Sequence, residues 1–194
     1  MCEEKFLNKI ESAIKGGISL LQLREKEKTT REYICLAKKV HNISERYGVP
    51  LIIDDRVDVM LASGAEGVHL GGDDMTIADA RKIIGNKKII GATTKTVESA
   101  KSACENGANY LGVGAIFPTT TKVKTILTTV ETLKEICENV PLSVFAIGGL
   151  NAENIDVLKG ANIAGICAVS AIMKSENPEG EVLKLKNKLE MILK

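Results

Sequence analysis

The nine residues SGAEGVHLG at 63–71 decide the fold, because the chain repeats their pattern three more times. GGISLLQLR stands at 16–24, NGANYLGVG at 106–114 and KGANIAGICAVS at 159–170. In each, a glycine ends a helical pattern and a short apolar strand follows. The leading glycines, Gly16, Gly64, Gly107 and Gly160, are 48, 43 and 53 residues apart. Between them lie three further apolar runs, at 50–53, 88–90 and 142–147. Halving the spacing gives roughly 24 residues per strand-plus-helix unit, a repeat rather than a coincidence of composition.

Short apolar runs alternating with amphipathic stretches mark a parallel sheet covered by helices. Helical patterns fit 3–15, 30–47, 76–84, 97–105, 130–138, 153–158 and 181–193, and Gly48, Gly85, Gly107 and Gly160 follow such runs as C-cap candidates. The two-unit periodicity predicts an α/β fold of the TIM (β/α)8 barrel type, in which odd and even strands fill alternating core layers. A doubly wound open sheet competes, but no GxGxxG follows a first strand. Seven strands are expected, at 18–24, 51–54, 67–70, 88–92, 110–114, 142–147 and 164–169. The missing eighth is the first, and it belongs some 25 residues before Gly16. The expectation is therefore a start truncated relative to a complete gene, or a barrel left open or completed by another chain.

The 194 residues suit a single barrel domain spanning 1–194. Twenty-six basic side chains balance 25 acidic ones, leaving +1, so anion binding must be local and no nucleic-acid partner is expected. Aromatics at 3% with no Trp also argue against base stacking. The longest nearly apolar run, 163–173, falls well short of the roughly 18 residues of a membrane span, so no membrane partner is expected either. Charges throughout 1–15 do not read as a signal peptide. Cys2, Cys35, Cys104, Cys137 and Cys167 are odd in number, widely spaced and without CxxC, which fits a reducing cytoplasm. With only His41 and His69, a histidine-rich metal site is excluded, and neither lies near a nucleophile-elbow motif. Chemistry must come from carboxylates, Lys, Arg, hydroxyls and backbone.

Active groups of barrels gather at the C-terminal ends of strands. Read there, Gln22, Arg24 and Lys26 alternate along one strand and share a face, offering a planar fork and a point charge for a phosphate. Asp54 and Asp55, with Asp73 or Asp74, can hold Mg²⁺ through hard oxygen ligands; they also read as loop carboxylates or helix N-caps. Thr93, Thr94 and Lys95 end the next strand but one. The run 117–122 adds hydroxyls and Lys122. Gly148-Gly149 and Ser170 suit a phosphate site formed by two loops and a short helix N-terminus. His69, inside a strand, also fits a satisfied core histidine.

Six motifs together, QLREK (22–26), DDRVDVMLASGAEGVHLGGDDM (54–75), IGATTKT (90–96), GVGAIFPTTTK (112–122), AIGGL (146–150) and AVSAI (168–172), resemble thiamine-phosphate synthase. The resemblance runs from about residue 6 to the C-terminus, in order and at family-like spacing. It implies a transferase that joins two phosphorylated heterocycles. Hydroxymethylpyrimidine diphosphate loses pyrophosphate, and the nitrogen of thiazole phosphate bonds to the exposed methylene carbon, with Mg²⁺ as cofactor. By position, Gln22, Leu23, Arg24, Glu25 and Lys26 would meet the pyrimidine diphosphate, together with Asp54 and Thr93. Asp55 and Asp74 would hold the metal. Lys122 would meet the leaving pyrophosphate, which makes Arg24, Lys26 and Lys122 the catalytic group. Thr119, Thr120, Thr121, Gly149, Val169 and Ser170 would hold the thiazole phosphate. Asp54 stands where the family usually has Asn, Gly72 where it has Gln, Lys95 where it has His and Ala115 where it has Pro. A thiazole tautomerase and a non-catalytic binder of thiamine precursors are the alternatives; the former is expected to carry a His where this chain has Ala115. Small barrels often pair as symmetric dimers, so a homodimer is the expectation.

Overall fold

A computed structural model describes residues 2–119 and 126–193. Seven parallel strands form one sheet: β1 (Leu21–Leu23), β2 (Leu51–Asp54), β3 (Gly67–Leu70), β4 (Ile89–Thr94), β5 (Tyr110–Gly114), β6 (Ser143–Ile147) and β7 (Gly165–Cys167). Every strand pairs with its neighbours in chain order, from β1 to β7. A doubly wound sheet would reverse direction at a switch point. No reversal occurs, and the winding is that of a TIM-type barrel. β1 and β7 are the two ends of the seven-stranded sheet.

The α-helices are α1 (Glu3–Lys15), α2 (Thr30–Arg46), α3 (Val57–Ser63), α4 (Ile77–Ile84), α5 (Val97–Glu105), α6 (Val130–Asn139), α7 (Ser170–Met173) and α8 (Pro178–Ile192). Local chemistry starts them where it should. Thr29 and Thr96 form capping boxes with Glu32 and Ser99, and Asn177 caps α8, whose first residue is Pro178. The left-handed Gly64 ends α3, because only glycine takes that conformation without strain.

Each strand alternates between two environments. Leu51, Ile53, Val68 and Ile90 point outward into a cluster under α1 to α4. Leu111, Val113, Val144 and Ala146 do the same under α5, α6 and α8. Each of these leucine, isoleucine and valine side chains contributes roughly 1.5–3 kcal/mol by leaving water. The inward set is mixed: Ile52 fills part of the interior, and Gln22, Asp54, His69, Thr93, Tyr110 and Phe145 are interleaved with Gly67, Gly91, Gly112 and Gly165. Polar groups with gaps between them are what a site requires.

The helix layer is continuous where the sheet has its two ends. The buried Lys9 of α1 donates to the carbonyls of Met173 (3.1 Å) and Ser175 (2.5 Å), between α7 and α8. A Cβ on Gly16 would lie 2.7 Å from the Glu179 carbonyl oxygen, so α1 and α8 meet at glycine distance.

Three expectations need correction. β1 ends at Leu23, so Arg24 and Lys26 lie in the following loop rather than on one strand face. The helix expected at 153–158 is a single 3-10 turn, Ile155–Leu158, a short connector of the kind 3-10 turns commonly make. α3 was not among the expected helices: seven residues give too little pattern to separate a helix from a turn.

Candidate active site

Because all strands run the same way, the loops after them share one rim. Gln22, one residue from the end of β1, donates from Nε2 to Oδ1 of Asp54 at 2.6 Å. Arg24, from the next loop, places Nε 3.1 Å from the other oxygen, Oδ2. Asp54 is thus gripped on both oxygens at the end of β2. Lys26 donates to Oδ2 of Asp55. Asp55 shares a hydrogen bond with Asp74, whose Oδ2 also accepts the Gly71 N–H at 2.8 Å. The loops after β1, β2 and β3 therefore meet in one interlocked set of two cations and three carboxylates.

The backbone holds this arrangement at a cost. Asp55 has φ +63°, the left-handed region that a non-glycine residue seldom takes. Its N–H donates to the His69 carbonyl at 2.8 Å, which fixes the residue against β3. Asp74 does not cap α4; Thr76 does, accepting from the Asp79 N–H. That leaves Asp74 to the site.

The three carboxyls differ. Burial, then the neighbouring Asp55 charge, pushes Asp54 up to about 6 despite Arg24 and Lys26. Burial raises Asp55 as well, but hydrogen bonds from Lys26 and with Asp74, and the charges of Lys26 and Arg24, hold it below the usual carboxylate range. Asp74 is raised, by burial and by its hydrogen bond to Asp55. Two carboxyl groups this close need a proton or a cation between them. Mg²⁺ commonly takes one or two carboxylates and completes its shell with waters and phosphate oxygens. Asp55 and Asp74 fit that demand. Among the described residues no group of three or more His, Cys, Asp or Glu side chains forms a fuller metal cage.

The other expected residues fall in several places. Leu23 faces the helices, buried, and its carbonyl accepts the Tyr33 hydroxyl at 2.8 Å. Glu25 folds its own loop, its Oε1 accepting from the N–H groups of Lys26 (2.9 Å) and Glu27 (3.2 Å). Thr93 points inward, Oγ1 2.8 Å from Nε2 of His69. On the far side of the rim, Gly149 touches the loop after β5 so closely that a Cβ would sit 2.7 Å from Phe117 Cβ and 2.8 Å from the Pro118 carbonyl oxygen. That contact, with Phe117 N–H donating to the Gly148 carbonyl at 3.0 Å, holds half-buried Thr119 beside the glycine pair. Val169, exposed, precedes α7, and Ser170 begins it, after the neighbouring strand β7. Thr120, Thr121 and Lys122 lie outside the described residues.

The sequence reading passed over Tyr110. Its hydroxyl meets Nδ1 of His69 at 3.0 Å, so the histidine links it to Thr93. The signal was there: glycines at 91 and 112, two residues apart from neighbours that point inward, announce bulky groups crossing in front of them.

Comparison with known proteins supports one lineage. A family model described as thiamine monophosphate synthase matches residues 1–172. The thiamine-phosphate synthase 2 of Streptococcus pneumoniae is 50% identical over 190 residues, spanning 98% of this chain and 90% of that one. The thiamine-phosphate synthase of Enterococcus faecalis is 47% identical over 191 residues, with the same two coverages, 98% and 90%. Among solved structures, the thiamine phosphate pyrophosphorylase of Pyrococcus furiosus superposes with a TM-score of 0.89 at 35% identity, covering 97% of this chain and 91% of its own. Identity of this order along nearly the whole length, on a fold wound the same way, makes the chain a member of the thiamine monophosphate synthase family.

Proposed function

We propose that this transferase makes thiamine phosphate by joining hydroxymethylpyrimidine diphosphate to thiazole phosphate, at the rim described above. The observation that carries the reading is the convergence of Gln22, Arg24, Lys26, Asp54, Asp55 and Asp74 from the ends of β1 and β2 and the loops after β1, β2 and β3. Two cations beside paired carboxylates suit a metal-bound diphosphate.

The chemistry asks for charge management rather than a strong base. The bond between the pyrimidine methylene carbon and the diphosphate oxygen breaks, and its electron pair leaves with pyrophosphate. The lone pair of the thiazole nitrogen then forms the new carbon–nitrogen bond. Arg24 and Lys26, with Lys122, neutralise charge that develops on the leaving group. Bound at Asp55 and Asp74, Mg²⁺ supplies concentrated positive charge to the diphosphate oxygens. Gln22, Asp54 and Thr93 orient the pyrimidine, and holding both rings in line supplies the proximity term. Thr119, Thr120, Thr121, Gly149, Val169 and Ser170 receive the thiazole phosphate, whose charge suits backbone N–H groups after β6 and β7. A rim without catalytic histidine is compatible with such a reaction. Five free cysteines accord with work in the cytoplasm, and a homodimer is the assembly we expect.

The test is product formation followed by thiochrome fluorescence, with pyrophosphate measured in parallel. Both signals should require both heterocyclic phosphates and Mg²⁺. A folded chain that yields neither refutes the reading.

A further inference from the structure

Beneath the rim, three polar side chains cross the barrel interior in a line. Tyr110 Oη lies 3.0 Å from His69 Nδ1, and His69 Nε2 lies 2.8 Å from Thr93 Oγ1. The strands make this line possible. His69, Gly91 and Tyr110 are register partners on β3, β4 and β5, so the histidine and tyrosine rings reach each other across a glycine. A Cβ on Gly91 would stand 2.2 Å from the Tyr110 ring and 2.5 Å from His69 Nδ1. Phe145 braces the tyrosine from the other side, edge to face, with centroids 5.6 Å apart.

Hydrogen bonding has a direction, and here the direction is set from below. Burial pushes the Tyr110 phenol far above its ordinary range, so it keeps its proton. A buried O–H must find an acceptor, and Nδ1 is the ring nitrogen it meets. A neutral imidazole that accepts at Nδ1 carries its hydrogen on Nε2. Nε2–H then donates to Thr93 Oγ1, which leaves the threonine hydroxyl hydrogen for another partner.

We infer that Tyr110 and His69 are positioning residues that turn Thr93 into a hydrogen-bond donor toward a ring-nitrogen acceptor of the pyrimidine. The inference rests on the proposal that Thr93 meets the pyrimidine. With the opposite direction, Thr93 would spend its hydrogen on Nε2 and offer the substrate lone pairs only, which repel a ring nitrogen. Tyr110 and His69 thus act on the substrate without touching it.

Nitrogen-15 NMR of the full chain, labelled at histidine and free of substrate, reads the tautomer directly. His69 should carry its hydrogen on Nε2, and Tyr110→Phe should shift it toward Nδ1. A native spectrum with the hydrogen on Nδ1 overturns the inference, whether or not the variant folds. Kinetics then test the consequence. Thr93→Val should raise the KM for the pyrimidine diphosphate about tenfold, the scale of one lost hydrogen bond, and Thr93→Ser should restore it. Tyr110→Phe should raise the same KM, leave the KM for thiazole phosphate unchanged, and add nothing when combined with Thr93→Val. If Thr93→Val leaves the pyrimidine KM unchanged, the placing of the pyrimidine fails and takes the inference with it. If Thr93→Val acts but the two changes are additive, the placing stands and the relay alone fails.

Discussion

Nε of Arg24 lies 3.1 Å from Oδ2 of Asp54, a contact that ties the loop after β1 to the last residue of β2. The same carboxyl holds Gln22 on its other oxygen. Asp54→Ala should free both side chains and raise the KM for the pyrimidine diphosphate about tenfold, the scale of one lost hydrogen bond. Asp54→Asn keeps an acceptor for Gln22 and should lose less. Initial rates at saturating thiazole phosphate check both.

Asp55 and Asp74 are expected to act as a unit. Either one replaced by Ala should lower turnover at least about 100-fold, and the double variant should be little worse than the single ones. Rates measured against Mg²⁺ concentration, with circular dichroism to verify folding, give the answer. Additive losses would show that the two carboxylates do not share a task.

Glycine at 91 and glycine at 72 predict opposite outcomes. Gly91→Ala forces a methyl into Tyr110 and His69, and should cost at least about 3 kcal/mol. Gly72→Ala meets nothing within 4 Å and has no positive φ, so urea unfolding should leave it unchanged.

Much of this was legible in the sequence, for reasons that differ by residue. β2 announced itself because Leu51, Ile52 and Ile53 form an unbroken apolar run, and β3 and β5 because Val68 and Leu111 follow the repeated glycine that ends a helix. Asp54, Asp55 and Asp74 stood out as acids at or just past the ends of apolar strands, and the sequence left open the reading as helix caps that the structure assigns to Thr76 for α4. Arg24 and Lys26 were assigned to a strand because alternation looks the same in a strand and in an extended loop; only pairing with β2 decides, and it stops at Leu23. Tyr110 was missed because a tyrosine among apolar residues reads as packing. Its partner, His69, is 41 positions away, and no local pattern joins them.

Glu66 gives a pH dependence with a definite sign. Its Oε2 accepts the Leu51 N–H at 2.7 Å and its Oε1 meets His41 Nε2 at 2.9 Å. Burial raises the carboxyl, but the Leu51 N–H and His41 outweigh it and hold it below 4.5. A depressed carboxyl stabilises the fold above its unfolded value and loses that contribution as pH falls through the folded one. Glu66→Gln should therefore cost about 1 kcal/mol at pH 7, a figure already reduced for the partial exposure of the side chain. The difference from the parent should shrink below pH 4.5. Thermal melts from pH 3 to 8, taken as roughly the span of carboxylate titration, would show it.

The thiols should separate by reactivity. Burial pushes Cys167 up to about 11, while Cys2 and Cys35 are exposed. Near neutral pH, maleimide should label the exposed pair first and the buried Cys137 and the raised Cys167 last, since the thiolate is the reacting form. Peptide mass spectrometry over time reports the order.

Before any ligand arrives, the acids and bases of the rim already serve as each other's counterions: Arg24 with Asp54, Lys26 with Asp55. A bare phosphate must therefore compete with carboxylates seated ahead of it, and it leaves those carboxylates stranded if it wins. An anion that brings its own dication compensates both sides in one event. The rim is in this sense a surface whose charges are already matched, each of these two cations facing a carboxylate from a neighbouring loop or strand end.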